Sequence, residues 1–264
     1  MSATTPKVMG IINITEDSYF KESRVGNEKE FEIRLEKLIA EGVDIVDIGA
    51  CSTRPGSVSV SEEVEWNGIR LALERLKHYP EIALSIDTFR ASIVQKAYNY
   101  FGEFIVNDIS AGEDDTEMLK TVGELKLRYI AMHKRGNPLT MQSLCNYDNP
   151  VKDIIDYFKE FEKRATQHGI TDYILDPGFG FAKNIEQNFI LLKELSNFKS
   201  LNREILIGIS RKGFIYKTLN ITPEEALPAT TALHLQALIN GASILRVHDV
   251  KAAKEVISLF LHLQ

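Results

Sequence analysis

Eight groups of polar residues recur along this chain, each directly behind a short apolar run. They are Asn13 with Thr15; Asp47, then Ser52-Thr53-Arg54-Pro55-Gly56; Asp87-Thr88; and Asn107-Asp108. The second half adds His133-Lys134-Arg135, Asp176-Pro177-Gly178, Ser210-Arg211-Lys212, and Arg246 with His248-Asp249. Two chemistries are mixed in this set. The carboxylates and amide of Asp87, Asn107 and Asp176 can accept and donate hydrogen bonds to a planar nitrogen heterocycle. Such groups discriminate strongly, because a wrong ligand leaves them unpaired. Arg54, Lys212, Arg246 and His248 can hold a phosphate or diphosphate, arginine through bidentate contacts. Arg246 can also lay its planar guanidinium on an aromatic ring. The pattern reads as a heterocycle slot beside an anion slot.

Taken one at a time, these residues have local explanations. Aspartate and asparagine cap helices and open turns. Asp176-Pro177-Gly178 reads as a turn, Asp47 as a structural acid behind an apolar run, and His133 and His248 as hydrogen-bonded structural histidines. Local structure does not explain why every apolar run ends this way.

The elements that must position the groups follow from periodicity. Candidate strands are Val8–Asn13, Asp44–Ile48, Ala83–Asp87, Phe104–Asn107, Tyr129–Met132, Tyr173–Asp176, Leu206–Ile209 and Ile244–Val247. Between them lie amphipathic stretches at Glu28–Ala40, Glu62–Lys77, Ala91–Tyr100, Val151–Gln167, Ile185–Leu195 and Pro223–Ile239, with Ala252–Leu263 last. Ser61 is placed to cap a helix, and Pro223-Glu224-Glu225 to form a first turn. Alternation of strand and helix implies a parallel sheet. An open doubly wound sheet is the alternative, usually with fewer strands. Eight units in 264 residues, with no linker between them, point to an α/β chain forming a single (β/α)₈ TIM barrel over residues 1–264, near the usual length of about 250 for that fold. In a barrel the strand ends converge on one face, where active sites are built.

Bulk properties exclude several classes. A net charge of −6 disfavours nucleic acid, whose phosphates call for cationic surfaces, yet allows a small anionic substrate in a local cationic pocket. Cys51 and Cys145 form neither a disulfide framework nor a zinc motif. No signal pattern or membrane-length apolar run is present. The expectation is a cytoplasmic enzyme that uses small-molecule substrates.

The motifs MGIINITEDSYF (9–20), DIGACSTRPGS (47–57), SIDTFR (85–90), NDISAG (107–112), MHKRGNP (132–138), ILDPGFGFAKN (174–184), GISRKGFI (208–215) and RVHDV (246–250) resemble dihydropteroate synthase, in the family's order and across nearly the whole chain. The resemblance implies a (β/α)₈ barrel, usually a homodimer. The reaction it implies joins p-aminobenzoate to 6-hydroxymethyl-7,8-dihydropterin diphosphate, giving 7,8-dihydropteroate and pyrophosphate in folate biosynthesis. Carried over by position, Asp87, Asn107, Met132, Asp176, Lys212 and Arg246 resemble the pterin site, with Asp87, Asp176, Lys212 and Arg246 catalytic. Asn13, Arg54, Arg246 and His248 resemble the diphosphate site, and Asn13 matches a Mg²⁺ contact. Thr53, Arg54, Pro55, Phe181, Lys212 and Gly213 match the p-aminobenzoate pocket, and the Asn13–Ser23 and Cys51–Ser59 loops would close over it.

The chain departs from the family pattern at Glu16, usually proline, and at Ala50-Cys51, usually Gly-Glu. Ala182 and Asn184 replace glycine and threonine. Gly213 replaces a serine that borders the p-aminobenzoate carboxylate, which raises the expectation of altered sensitivity to sulfonamides, the family's p-aminobenzoate mimics. Two rival readings are a methyltetrahydrofolate-dependent methyltransferase, which needs neither the STRPG nor the SRK segment, and a non-catalytic pterin-binding paralogue, against which the retained anion ligands argue.

Overall fold

The computed structural model describes residues 5–14, 24–50, 60–137 and 139–264, with backbone alone for 24–28. Eight strands form one parallel sheet in the order β6-β5-β4-β3-β2-β1-β8-β7. They are β1 Lys7–Asn13, β2 Ile45–Gly49, β3 Ala83–Asp87, β4 Ile105–Asp108, β5 Arg128–Met132, β6 Tyr173–Asp176, β7 Leu206–Ile207 and β8 Ile244–Val247. A parallel bridge between Leu175 and Ile205 joins the two edges and brings the sheet round into a barrel. Among the described residues the α-helices are α1 Arg24–Ala40, α2 Glu62–Leu76, α3 Ala91–Phe101, α4 Met118–Leu125, α5 Pro150–Gln167, α6 Ile185–Lys193, α7 Gly213–Leu219, α8 Leu227–Ile239 and α9 Val250–His262.

Side chains alternate between the two faces of a strand, and this splits the core in two. Outward residues such as Val46, Ile86, Val106, Tyr129 and Leu245 join the helices in one large cluster. Inward, Met9, Ile45, Ile105, Ile130, Ile174, Leu206 and Ile244 form a small apolar cluster of their own. This is the filled interior expected of such a barrel.

Helix boundaries follow their caps. Ser61 caps α2, its hydroxyl accepting from the Val64 N–H at 3.3 Å. Asn149 caps α5, with Pro150 in the first turn. One expected start is wrong: α8 begins at Leu227, not Pro223. The Arg211 guanidinium donates to the carbonyls of Pro223 and Glu224 at 2.9 and 2.6 Å. Those carbonyls are thereby held by a distant side chain rather than by a helix, and Pro228 takes the first-turn role. Strand β7 stops at Ile207 instead of Ile209, because Ile209 already accepts the Lys212 N–H in a turn. Helices α4 and α7 were not anticipated; each is only seven or eight residues long.

Candidate active site

The polar layer sits on the inner apolar cluster. Ile45, Ile105, Ile130, Ile174 and Ile244 each lie two residues before Asp47, Asn107, Met132, Asp176 and Arg246. On β3, Ser85 precedes Asp87 in the same way. A period of two therefore carries each strand's inward face from plug to site. Register sharpens the arrangement: Asn13 pairs with Gly49, Gly49 with Asp87, and Asp87 with Asn107. Met132 pairs with Asp176.

Asp47, fully buried, organises one half of the ring. It accepts from the Ser85 hydroxyl at 2.6 Å and from Asn107 Nδ2 at 3.2 and 3.3 Å. Arg246 Nε donates to Asp47 Oδ2 at 2.7 Å, and Arg246 Nη2 donates to Asp87 Oδ2 at 2.7 Å. With Nδ2 of Asn107 turned to Asp47, its Oδ1 is left as an acceptor for a ligand N–H. The other half is built on the β6 loop. Asp176 Oδ1 accepts from the Gly178 N–H at 2.8 Å. Lys212 donates to the Phe179 carbonyl, and its ammonium lies 4.9 Å from the Phe181 ring centroid.

Burial dominates the electrostatics. It pushes Asp87 up to about 7, with Arg246 opposing and Asp47 reinforcing the rise. It raises Asp176 against the pull of Lys212. It lowers Lys212 to about 8, with Asp176 resisting. For Arg246 burial works against the charge, but Asp47 and Asp87 outweigh it and raise its pKa. The site thus holds Asp87 poised between acceptor and donor, and a raised Asp176, beside cations that are already fixed in place.

The structure brings Asp87, Asn107, Met132, Asp176, Lys212 and Arg246 into one layer at the carboxyl ends of the strands. Asn13 stands exposed at the rim, on the end of β1. His248 lies past β8, its Nδ1 3.2 Å from the Ser210 hydroxyl. Phe181 is half-buried above Lys212, and Gly213 opens α7. Thr53, Arg54 and Pro55 lie outside the described residues, as do Thr15, Glu16 and Cys51. Other strand-end groups are structural. Arg211 pairs with Asp249 at 2.8 Å. Asp108 accepts from Ser110, Gly112 and the Tyr129 hydroxyl. His133 is buried and held well below its usual pKa, by burial first and by Lys183 next.

Sequence reasoning missed two residues. Asp47 reads there as a structural acid; the missed signal is its place two residues after Ile45, in step with Asn107 and Asp176. Lys183 carries no sequence signal of burial, yet it is 3% exposed. Among the departures, Ala182 adopts φ 49°, a left-handed conformation that suits the glycine it replaces. Asn184 keeps the cap of α6 in a reciprocal box with Gln187, at 2.8 and 2.9 Å.

The sequence pattern of the family described as pterin binding enzyme matches residues 9–248. The dihydropteroate synthase of Escherichia coli is 36% identical over 252 residues, covering 95% of this chain and 89% of that protein. A bifunctional dihydropteroate synthase/dihydropteroate reductase of Helicobacter pylori is 35% identical, covering 98% of this chain and 68% of that one. The Yersinia pestis dihydropteroate synthase, solved with a sulfonamide drug complex, superposes with a TM-score of 0.91 at 31% identity, covering 100% of this chain and 95% of that one. The Xanthomonas albilineans enzyme in complex with 7,8-dihydropteroate gives 0.87 at 29% identity, covering 100% and 95%. An eight-stranded parallel barrel, a polar layer at its carboxyl ends and full-length similarity converge: the chain belongs to the pterin-binding enzyme family, among the dihydropteroate synthases, which are transferases of folate biosynthesis.

Proposed function

We propose that this site condenses 6-hydroxymethyl-7,8-dihydropterin diphosphate with p-aminobenzoate to give 7,8-dihydropteroate and pyrophosphate. The observation that carries the reading is the Asp47–Arg246–Asp87 network facing Asp176 and Lys212 across one floor. Asp87, Asn107, Asp176 and Lys212 bind the pterin edge, Met132 packs under it, and Arg246 stacks on its face. Departing negative charge on the diphosphate is stabilised by groups placed beforehand: Arg246, held by Asp47 and Asp87, and His248, held by Ser210, with Arg54 given the same role by the family resemblance. The Asp176 carboxylate stabilises positive charge on the dihydropterin as the exocyclic carbon–oxygen bond opens. The amine of p-aminobenzoate, a free base at neutral pH, then attacks that carbon and loses its proton to solvent.

Among the described residues no cluster of three or more His, Cys, Asp or Glu is arranged to hold a metal. Asn13, exposed at the end of β1, offers an amide oxygen, which fits Mg²⁺, an ion that keeps most of its waters and is commonly shared with substrate phosphates. Bound there, Mg²⁺ would neutralise diphosphate charge.

Thr53, Arg54, Pro55, Phe181, Lys212 and Gly213 form the p-aminobenzoate pocket in this reading. A Cβ at Gly213 would meet nothing closer than the Tyr216 hydroxyl at 3.5 Å. A serine therefore fits, and its absence leaves the p-aminobenzoate carboxylate one hydrogen bond short, about 1 kcal/mol. The Yersinia pestis relative binds a sulfonamide; here Gly213 lowers that sensitivity. Gly213→Ser tests this, and unchanged sulfonamide inhibition together with an unchanged p-aminobenzoate KM would refute it.

Homodimerisation is supported by exposed Ile239 at the end of α8 and by Leu259, Leu261 and Leu263 at the end of α9; a monomeric mass in sedimentation would refute it. No helix among the described residues is long and apolar enough to cross a membrane, in keeping with a cytoplasmic setting. The deciding experiment for the reaction is pyrophosphate release measured with each substrate alone and with both. Release only with both supports the synthase, and pterin binding without turnover refutes it.

A further inference from the structure

Lys183 is a buried cation that the reaction above does not use. Its ammonium donates to the carbonyls of Gly178 and Phe181, both at 2.9 Å, and lies 3.1 Å from His133 Nδ1. Three acceptors match the three hydrogens of a charged amine. With the amine charged, Nδ1 of His133 accepts and the ring hydrogen sits on Nε2.

These contacts converge on the loop that carries the chemistry. Gly178, held through its carbonyl by Lys183, donates its N–H to Asp176 Oδ1. Phe179, next in the loop, gives its carbonyl to Lys212. Phe181 carries the ring beside Lys212. The loop has no slack on the β5 side: Gly178 has φ +71°, and a Cβ there would stand 1.9 Å from the His133 carbonyl. Its backbone also adopts the left-handed conformation at Ala182. Lys183 thus fastens a strained loop to the end of β5, while Lys212, just before α7, holds the same loop from the β7 side.

We propose that Lys183 is a positioning residue for p-aminobenzoate: with His133 it sets the loop height at Phe181, and so the second-substrate pocket. The assignment rests on the synthase reading and extends it to a residue that touches neither substrate. Burial lowers the Lys183 amine to about 7, Asp176 resists, Lys212 and Arg135 push it further down, and Cys145 opposes them.

The effect falls unequally on the two substrates. Asp176 is anchored by its strand ladder to Met132, whereas Phe181 lies in the loop beyond β6. Lys183→Met is therefore expected to raise the p-aminobenzoate KM on the order of 10- to 100-fold, the scale of an ångström-level misplacement, and to change the dissociation constant of the pterin diphosphate less. His133→Leu removes one acceptor and should shift the same constant in the same direction. His133→Asn, whose amide oxygen can stand in for Nδ1, should restore it. Steady-state kinetics on the full chain, with pterin binding by calorimetry, read all of this. A folded Lys183→Met with wild-type KM would overturn the proposal, as would equal losses for both substrates. If Lys183→Met does not fold, the His133→Leu and His133→Asn pair decides by the same constants. Absence of turnover in the wild type would instead overturn the synthase reading.

Discussion

The inner apolar cluster and the polar layer above it are built from the same strands, on the same faces, two residues apart. One is close-packed aliphatic carbon; the other gathers Asp47, Asp87 and Asp176 around Arg246 and Lys212. The first stabilises by removing apolar surface from water, on the order of 25 cal/mol per Å². The second buries charge, which raises Asp87 and Asp176 and lowers Lys212. That difference teaches that a barrel interior can divide its tasks by height: stability at the bottom, chemistry at the carboxyl ends.

The division can be broken from either side. Ile130, 0% exposed in the apolar cluster, truncated to alanine should cost about 4 kcal/mol of stability. Chemical denaturation reads this loss, and kcat per folded molecule should stay unchanged. Asp176→Asn should do the reverse, cutting turnover by about 10²- to 10³-fold, the scale of one lost electrostatic contact to developing charge. Its thermal midpoint should stay near that of the wild type. A large loss of both properties in either variant would abolish the separation.

A buried titrating group on a helix outside the barrel gives the comparison a third case. His234 on α8 is 2% exposed, and neither ring nitrogen has a hydrogen-bond partner among the described residues. Burial lowers its pKa from 6.5 to about 4. The unfolded chain therefore binds the proton more readily. The stability tied to neutral His234 is complete above pH 6.5 and drains as pH falls toward 4, by about 3 kcal/mol. His234→Leu should flatten that part of the stability–pH curve, measured by urea midpoints between pH 7 and 4. The smallest effect belongs to Ala182→Gly. Relief of the left-handed conformation favours glycine, and loss of a buried methyl opposes it. The net change should stay within about 1 kcal/mol in thermal denaturation.

Much of this was readable in the residues. Strand β3 and the floor residues Asp87, Asn107 and Asp176 follow from a period of two that ends in polar side chains. Ser61 announces α2 because an N-cap is a local device. The start of α8 did not follow, because the carbonyls of Pro223 and Glu224 are claimed by Arg211 from another loop. Helices α4 and α7 are too short for their periodicity to stand out.

By itself the sequence determined the barrel, the pterin family and the residue types of the site, because strand periodicity and motif order are written along one dimension. The tertiary structure alone decided that Asp47 holds Arg246 across 199 positions of chain, and that Lys183 is buried against His133. Both depend on which distant groups share a small volume of low polarity. There a carboxylate or an amine must find a partner, and nothing in its neighbours along the chain names which one.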